Sequence, residues 1–392
     1  MARICMVAFT HYSTDTRVRR EAEALVDRGD EVDALCLREE GREDIWMLNG
    51  VRLHQLPIGR YRGSSVVTYL LRYTLFFLAA ALWLNYLHLK KHYQIVQVHT
   101  MPDFMVFVAL LPKLLGAKVI LDVHDLMPEL YQSKFGLESS HWLIRFITWM
   151  ERGSVGFAHG AIAVHGPHLD TLVKHGNPAE KFIILLNLPD SKVFSRRFRA
   201  GLSSDGCFRL VYHGTVARRN GLRVALRALP KIKKEIEDVE LQIFGDGDDI
   251  PCLIDLAKEL GLADCVSISR GMVPMDELVP IILNADVGIV PILYDDFTKY
   301  MLPVKLLEYV ALGIPVVSSR TETIETYFDD SMVQYCKPGD ADDLAEKILD
   351  LHRNPDMRER LRTNADRFNR GYSWEQQKQL YYRLIDDLSE GG

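Results

Sequence analysis

The sequence predicts an α/β protein with two doubly wound domains that face each other across a cleft. Short apolar runs alternate with amphipathic segments along almost all of the 392 residues, which is the βαβ pattern of parallel sheets. Most of the runs are continuously apolar, as strands covered on both faces are. The alternation stops once, at a polar and turn-rich stretch (190–206), and then restarts. Ligands of such sheets bind outside the carboxyl ends of the strands, so we expect a site in the cleft.

The first Rossmann-like domain is predicted over residues 1–190. Its predicted strands are 3–9, 31–37, 95–100, 118–124, 161–165 and 182–187. Helical patterns lie between them, at 14–28, 65–91, 103–115 and 141–158. Because strands and helices alternate, the predicted sheet is open and parallel, with helices on both faces.

The second domain is predicted over residues 207–371, after a linker at 191–206. Its predicted strands are 209–214, 241–245, 266–271, 287–292, 315–319 and 332–336. The closing segment, 372–392, contains a helical pattern. We expect this last helix to pack back toward the first domain.

Composition excludes several classes of protein. A net charge of −6 lacks the basic field of a nucleic-acid-binding protein. The six cysteines are scattered without a C-x-x-C pair, which is typical of a reduced, cytosolic chain without a zinc site. The N-terminus begins directly as a strand, so we expect no signal peptide.

One apolar run stands out, from Tyr73 to Leu87. It is shorter than the ~20 residues that span a bilayer. Arg72 precedes it, and Lys90 and Lys91 follow it. The run fits a helix buried between sheet and surface, and it also fits a helix lying in a membrane interface. Both interpretations stay open.

Four predicted strands of the first domain end at or near a histidine: His11, His99, His124 and His165. A single histidine there is more often a packed, hydrogen-bonded residue than a catalytic one. Four at one edge of a sheet indicate a polar pocket. No H-E-x-x-H motif is present, so we expect no structural metal.

In the second domain, the strand end GDGDD (245–249) is similar to a dinucleotide fingerprint but lacks its third glycine. It therefore predicts a tight turn with acidic residues at a helix N-cap rather than an NAD site. The D-x-D pair Asp246 and Asp248 offers two carboxylates. We do not expect these to bind a divalent ion.

The segment PVKLLEYVALG (303–313) predicts a helix that starts after Pro303 and ends at Gly313. Lys305 and Glu308 share one face of it. One interpretation is a helix-surface ion pair, worth about 0.2–0.5 kcal/mol. The other is a site in which Lys305 and helix amides hold a phosphate while Glu308 accepts two sugar hydroxyls.

Together, PVKLLEYVALGIPVV (303–317), HGTVARRNGL (213–222) and LQIFGDGDD (241–249) resemble the family 4 glycosyltransferases, which have the GT-B fold. QVHTMPDF (97–104) and ILDVHDLMPEL (120–130) resemble the bacterial exopolysaccharide and O-antigen branch of that family. The resemblance implies a retaining transfer of a sugar from a nucleoside diphosphate sugar to a hydroxyl acceptor. It implies no cofactor and no bound metal.

Residue by residue, the resemblance implies a donor site in the second domain. Its residues are Gly214, Thr215, Arg218, Arg219, Gly245, Gly271, Met272, Val273, Lys305, Leu306 and Glu308. Two departures alter the family pattern. Tyr300 stands where the first glutamate of the E-x7-E motif is usual, and Thr215 and Asn220 stand where an arginine and a lysine are usual. We therefore assign the phosphate charge to Arg218, Arg219 and Lys305.

The resemblance assigns the catalytic roles to His124, Asp125 and Lys305, with His124 reaching the reacting centre. We expect the acceptor in the first domain, beside Asp15, Arg17, Arg20, His99 and Glu129, which follow its strands at the cleft edge. The charges of the 11–20 loop fit a solvated helix start equally well, so this assignment stays open. The implied acceptor is a lipid-linked saccharide, at the inner face of the cell membrane.

Two other functions remain open. A nucleotide-sugar epimerase of the same architecture needs no acceptor and no membrane helix. A non-catalytic nucleotide-sugar-binding protein is consistent with Tyr300 in place of the glutamate.

Overall fold

The computed structural model describes residues 1–59, 66–100, 102–191, 193–194, 206–269, 271 and 273–390. Most of the predicted linker (192 and 195–205) lies outside the described residues. The chain forms two compact units. One consists of Met1–Asn187 with Glu375–Gly392, and the other of Leu188–Trp374.

The first unit is built on an eight-stranded sheet. Its strands are β1 (Arg3–Ala8), β2 (Glu31–Leu37), β3 (Ile45–Leu48), β4 (Val51–Leu56), β5 (Ile95–His99), β6 (Lys118–Asp122), β7 (Gly160–Ala163) and β8 (Phe182–Ile184). They lie in the order β3-β4-β2-β1-β5-β6-β7-β8. All neighbours are parallel except β3 and β4, which form an antiparallel hairpin that the sequence analysis did not predict.

Helices cover both faces of this sheet. They are α1 (Thr16–Arg28), α2 (Val66–Lys91), α3 (Leu110–Leu114), α4 (Met127–Phe135), α5 (Trp142–Phe157) and α6 (Gly166–Lys174). The predicted helix 103–115 is a 3-10 helix, Asp103–Ala109, followed by α3. Helices α4 and α6 were not predicted.

The strand order determines which face each helix covers. Helix α1 connects β1 to β2 in one direction along the sheet, whereas α2, α3 and α5 lie in connections that run in the other direction. Crossover connections are right-handed, so α2, α3 and α5 lie on the face opposite α1. The 3-10 helix Asp103–Ala109 packs against all three of them.

The second unit has a six-stranded parallel sheet, as predicted. Its strands are β9 (Phe208–His213), β10 (Val239–Phe244), β11 (Val266–Ile268), β12 (Val287–Val290), β13 (Val316–Ser319) and β14 (Gln334–Cys336). Their order is β11-β10-β9-β12-β13-β14. The direction of strand progression reverses between β9 and β12, which is where open α/β sheets bind ligands.

The helices of the second unit alternate with these strands. They are α7 (Leu222–Lys233), α8 (Ile250–Glu259), α9 (Met275–Leu283), α10 (Val304–Leu312), α11 (Glu322–Tyr327), α12 (Ala341–Arg353) and α13 (Pro355–Gly371). The core is apolar and includes Leu210, Leu229, Ile243, Ile289 and Leu349.

The last helix, α14 (Trp374–Glu390), lies almost entirely within the first unit. The Tyr381 hydroxyl donates to Gln97 Oε1 (2.6 Å), and the Tyr382 hydroxyl donates to the Ala24 carbonyl (2.7 Å). Because Ala24 belongs to α1, the helix packs on the α1 side of the sheet.

Candidate functional site

Loops that follow β9, β10 and β11 are tied together at the carboxyl edge of the second sheet. The Gly214 N–H donates to the Phe244 carbonyl (2.9 Å). The Gly245 N–H donates to Ser269 Oγ (2.9 Å), and Gly245 also forms a β-bridge with Gly271. The three predicted glycines of the donor site, Gly214, Gly245 and Gly271, are therefore brought together.

Two glycines of this edge have no room for a side chain. A Cβ on Gly245 would lie 1.9 Å from the Gly214 carbonyl oxygen. A Cβ on Gly221 would lie 1.7 Å from the Pro291 carbonyl oxygen, at a φ of +71° that favours glycine. The loop after β9 is thus fixed against both the β10 loop and the segment after β12.

Helix α10 carries Lys305 and Glu308 into the same region. It begins after Pro303 and ends at Gly313, whose φ is +74°, as the sequence predicts. The interpretation of Lys305 and Glu308 as a helix-surface ion pair is wrong. Glu308 is only 9% exposed, and its Oε2 lies 3.0 Å from Nε2 of His213, a contact that lacks hydrogen-bond geometry.

Lys305 is directed at the strand-end loop instead. Its Nζ lies 4.8 Å from the centre of the Tyr212 ring, and its Cε lies 3.4 Å from where a Cβ on Gly214 would be. In the part of the chain that the structure describes, no ion pair joins Lys305 to Glu308. The ammonium group is therefore held beside the β9 loop without a bound counter-charge.

Burial shifts the pKa values of these groups toward their neutral forms. It lowers the pKa of Lys305 to about 8, against the attraction of Glu308. It raises the pKa of Glu308 to about 7, against the attraction of Lys305. Burial and the Lys305 charge lower the pKa of His213 to about 3, so this imidazole is neutral. A ligand that is anionic at one end and has hydroxyl groups at the other would satisfy both Lys305 and Glu308.

The basic residues predicted for the phosphate lie in a short 3-10 helix, Arg218–Asn220. Arg218 and Arg219 are exposed. The Thr215 carbonyl accepts hydrogen bonds from the Tyr212 hydroxyl (2.5 Å) and from Nδ2 of Asn220 (2.6 Å). Thr215 and Asn220 therefore shape the loop, and the two arginines supply its charge.

Other predicted donor residues differ in how well they fit the site. Leu306 is 0% exposed, and its N–H donates to the Pro303 carbonyl (3.0 Å). Its assignment to the donor site is corrected, because neither its side chain nor its amide is open to a ligand. Val273 is half-buried, and Met272 lies outside the described residues. Tyr300 ends a 3-10 helix and is half-buried, with Lys299 Nζ 5.2 Å from its ring centre.

The acidic turn after β10 has a structural role at Asp249. This residue is at the N-cap of α8, but its side chain caps no helix amide. Its Oδ1 accepts from Nε of Arg223 (3.0 Å) in α7. The turn is therefore tied to α7 by an ion pair, a contact that the N-cap interpretation did not include.

In the first unit, buried Asp122 at the end of β6 organises a polar cluster. Its Oδ2 contacts Nδ1 of His99 (2.8 Å) and Nε2 of His124 (2.9 Å), and its Oδ1 accepts from Arg17. Burial opposes ionisation, but Arg17 and His124 lower the pKa of Asp122 well below its usual value. Asp122 was not among the predicted site residues, because it lies within an apolar strand.

The cluster continues from Arg17 through the sheet. Nε of Arg17 lies 3.4 Å from Glu21 Oε1, and Gln97 Nε2 donates to Glu21 Oε2 (2.7 Å). Gln97 in turn accepts from Tyr381 of α14. Arg17 is 5% exposed and fully engaged here, so its prediction as a surface contact for an acceptor is corrected.

The remaining predicted acceptor residues also have partners in the fold. Asp15 caps α1 by accepting from the Val18 N–H (3.1 Å), which agrees with the helix-start interpretation. Glu129 is buried and its Oε1 contacts Nε2 of His175 (3.0 Å). Nη2 of Arg20 donates to the Leu186 carbonyl (3.4 Å).

His124 and Asp125 are the predicted catalytic residues of this unit, and both are half-buried. The His124 side chain is 21% exposed, against 2% for His99. Since His124 is the more open imidazole bound to Asp122, it is the one that a ligand can reach. His165 instead caps α6, where its Nδ1 accepts from the His168 N–H (3.1 Å).

His99, Asp122 and His124 are also the group of described residues that could hold a metal ion, with ligand atoms within 4.8 Å of one another. The three atoms already contact each other, and the Arg17 guanidinium contacts the same carboxylate. A cation would have to displace these contacts and face the arginine charge.

Comparison with known proteins matches each half separately. Residues 14–187 match the Glycosyl transferase 4-like domain, and residues 195–368 match the Glycosyl transferases group 1 family. Both halves of the chain are glycosyltransferase domains. A 182-residue segment is 30% identical to the amylovoran biosynthesis glycosyltransferase AmsK of Erwinia amylovora, covering 46% of this chain and 44% of that protein. The chain thus spans less than half the length of this curated relative.

Solved glycosyltransferase structures share the GT-B fold over the whole chain. Sucrose-phosphate synthase of Thermosynechococcus elongatus superposes with a TM-score of 0.81 at 18% identity, covering 100% of both chains. Anabaena Alr3699/HepE, solved in complex with UDP-glucose, gives a TM-score of 0.74 at 12% identity, covering 99% of this chain and 100% of that one. At these identities the likeness shows the fold alone, and it confirms the predicted fold class.

Within the described residues of these glycosyltransferase domains, no helix has both the length and the apolar character to cross a membrane. Helix α2, which contains the apolar run Tyr73–Leu87, is included in that statement.

Proposed function

We propose that the protein is a glycosyltransferase that moves a sugar from a nucleoside diphosphate sugar to a hydroxyl acceptor, with retention of configuration. The observation that carries the proposal is the pair Lys305 and Glu308. Glu308 is buried and Lys305 is half-buried at the point where the strand order reverses, and no ion pair joins them in the described part of the chain. A diphosphate and a ribose diol are the groups that such a pair would bind.

The reaction follows from where charge develops. The bond between the sugar anomeric carbon and the phosphate oxygen breaks, and negative charge grows on the diphosphate. Lys305, Arg218 and Arg219 stabilise that charge, because preorganised cations placed where negative charge develops lower the barrier. In this proposal these three cations carry the role that a bound metal would otherwise have. The acceptor oxygen bonds to the anomeric carbon on the same face, and its proton passes to the leaving phosphate oxygen.

His124 and Asp125 serve the acceptor and the reacting centre in this proposal. Asp122 and His99 hold the His124 ring in place. The acceptor that we propose is a lipid-linked saccharide of exopolysaccharide or O-antigen assembly, at the inner face of the cell membrane. Supporting this choice are the similarity to a protein of amylovoran biosynthesis and the exposed apolar side chains of α2.

Calorimetric binding of UDP, GDP, ADP, CMP and NAD tests the donor site. We expect one nucleoside diphosphate to bind, and Lys305→Ala and Glu308→Ala each to weaken it by tenfold or more, at roughly 1.4 kcal/mol per tenfold. Lys258→Ala, in the exposed part of α8, is the matched control and should bind like the wild type. Binding that is indifferent to both site substitutions would contradict the proposal.

Product analysis then separates transfer from epimerisation. With the preferred donor and no acceptor, a transferase leaves the sugar configuration unchanged, whereas an epimerase converts it.

A further inference from the structure

Helix α2 of the first unit is apolar on two opposite sides. One stripe is buried and packs on the sheet; it consists of Phe76, Ala80, Leu84 and Leu87. A second stripe recurs every three or four residues and is 44–74% exposed; it consists of Leu71, Leu75, Leu78, Leu82, Tyr86 and Leu89. A helix that only covered a sheet would be polar on its outer side.

Helix α5, on the same face of the sheet, repeats this feature. Trp142, Phe146 and Trp149 are 71%, 49% and 64% exposed, and they lie one turn apart along its outer side. Ile144 and Val155 face the interior. Exposed tryptophans at helix spacing are typical of surfaces that meet a lipid headgroup region.

These two stripes belong to one surface. Helices α2, α3 and α5 lie on the same face of the sheet and pack around the 3-10 helix Asp103–Ala109. Phe77 of α2 contacts Phe104 (5.9 Å between ring centres), and Phe107 contacts Phe157 of α5 (5.1 Å). Between them, α3 exposes Leu110 and Leu114, and its C-cap residue Leu115 is exposed as well. We call the outer side of α2, α3 and α5 the three-helix face.

The charges of the three-helix face have one sign. The basic residues of its helices are Arg72, Lys90, Lys113, Arg145 and Arg152, together with Lys91, which pairs with Asp33. The only acidic residue of these helices is Glu151, which is 1% exposed and bound to His175 and Asn177. Isolated exposed apolar residues are ordinary, but a continuous apolar area with a basic border marks an interaction surface.

We propose that the three-helix face lies on an anionic phospholipid bilayer, with the tryptophans of α5 as a second anchor beside α2. No described helix can cross the membrane, so the helices lie in the interface plane. The basic border favours anionic headgroups. A symmetric contact with a second copy would place like charges opposite each other, which argues against self-association. This proposal rests on the proposed function, and it adds the surface of the protein that would face the membrane holding a lipid-linked acceptor.

Vesicle flotation tests the inference without donor or acceptor, so its outcome is independent of the transferase activity. Phosphatidylcholine vesicles are compared with vesicles that also contain phosphatidylglycerol. We expect the wild type to float with the phosphatidylglycerol vesicles. Leu78→Glu with Leu82→Glu in α2, and separately Trp142→Glu with Trp149→Glu in α5, should abolish flotation. Leu380→Glu, on α14 and 40% exposed, is the control and should float like the wild type.

The α5 variant decides the new part of the inference. If this variant floats like the wild type, α5 is not an anchor, and the assignment of the three-helix face to the bilayer is overturned. A wild type that stays unbound, or that forms a dimer which these substitutions dissociate, overturns it as well. Since every substituted side chain is exposed, thermal unfolding should be unchanged, and this check separates lost binding from lost folding.

The charge border has its own test. Lys90→Ala with Arg145→Ala should lower the partition constant on phosphatidylglycerol vesicles by roughly 30-fold. Binding to phosphatidylcholine should not change. Equal losses on both kinds of vesicle would overturn the anionic-lipid assignment.

Discussion

Oε2 of Glu308 lies 3.0 Å from Nε2 of His213, although the two residues come from different elements, α10 and the end of β9. The pair is not ionic, because the pKa of His213 is lowered to about 3 by burial and by Lys305. Within the described ranges, Glu308 thus has no cationic partner in contact, and burial raises its pKa to about 7. The proposed donor site is therefore close to the titration midpoint of Glu308 at neutral pH.

Nucleotide affinity should therefore depend on pH in a defined way. The ribose diol needs the Glu308 carboxylate, so affinity should rise about tenfold per pH unit as pH increases toward 7. Above about pH 8, Lys305 loses its proton and affinity should fall. The measurement is calorimetric titration at roughly each pH unit between about 5.5 and 9. Dividing the wild-type affinity by the affinity of Glu308→Gln at the same pH removes the effect of the nucleotide's own titration. A constant ratio below pH 7 would show that Glu308 does not bind the ligand in its ionised form.

Arg218 and Arg219 should contribute to affinity through charge. Replacing both by alanine should weaken nucleoside diphosphate binding by about 10- to 100-fold, because each can form a charge-assisted hydrogen bond with phosphate. Added salt should reduce the wild-type affinity more than that of the variant. Arg227→Ala, an exposed arginine in the adjoining helix α7, is the matched control. Equal effects of the control and the double variant would remove these arginines from the phosphate site.

Gly221→Ala should destabilise the second unit by roughly 2–5 kcal/mol, combining left-handed strain with a backbone clash. Gly261→Ala is the matched control, since Gly261 has a φ of +66° but nothing within 4 Å of an added Cβ. It should show the strain alone, about 1–2 kcal/mol. Urea unfolding of the two variants measures the difference. If both lose the same free energy, the contact with Pro291 is unimportant.

Asp122→Asn should lower the free energy of unfolding by about 3–5 kcal/mol, because it leaves the Arg17 guanidinium buried without this carboxylate. The pKa of Asp122 is depressed in the folded state, so its stabilisation is present above the unfolded pKa and is lost as pH falls through the folded one. Asp386→Asn is the control. Asp386 pairs with Arg28 at 2.8 Å but is 58% exposed, so its loss should stay below about 1 kcal/mol. Matching losses in urea unfolding at pH 7 would contradict the structural role of Asp122.

Local signals in the sequence predicted helix α10 correctly. Pro303 and Gly313 mark its ends, and the apolar spacing marks its buried side. The hairpin of β3 and β4 had such a signal too, since Asn49-Gly50 is a strong turn dipeptide with both φ angles positive, and it was missed. Two contacts of the structure had no local signal in the sequence. The contact of Glu308 with His213 and that of Asp122 with Arg17 join segments far apart in the chain.

The placement of α14 has a consequence for biosynthesis. Tyr381 hydrogen-bonds to Gln97 near the middle of the first sheet, and Leu384 approaches Gly160 of β7. The first unit therefore lacks one of its covering helices until residues 375–390 have been made. On the ribosome, the half of the protein that is translated first cannot complete its folding until almost the whole chain has been made. An emerging chain would expose the α1 side of this sheet throughout synthesis of the second unit, and that interval is when a chaperone would be needed most.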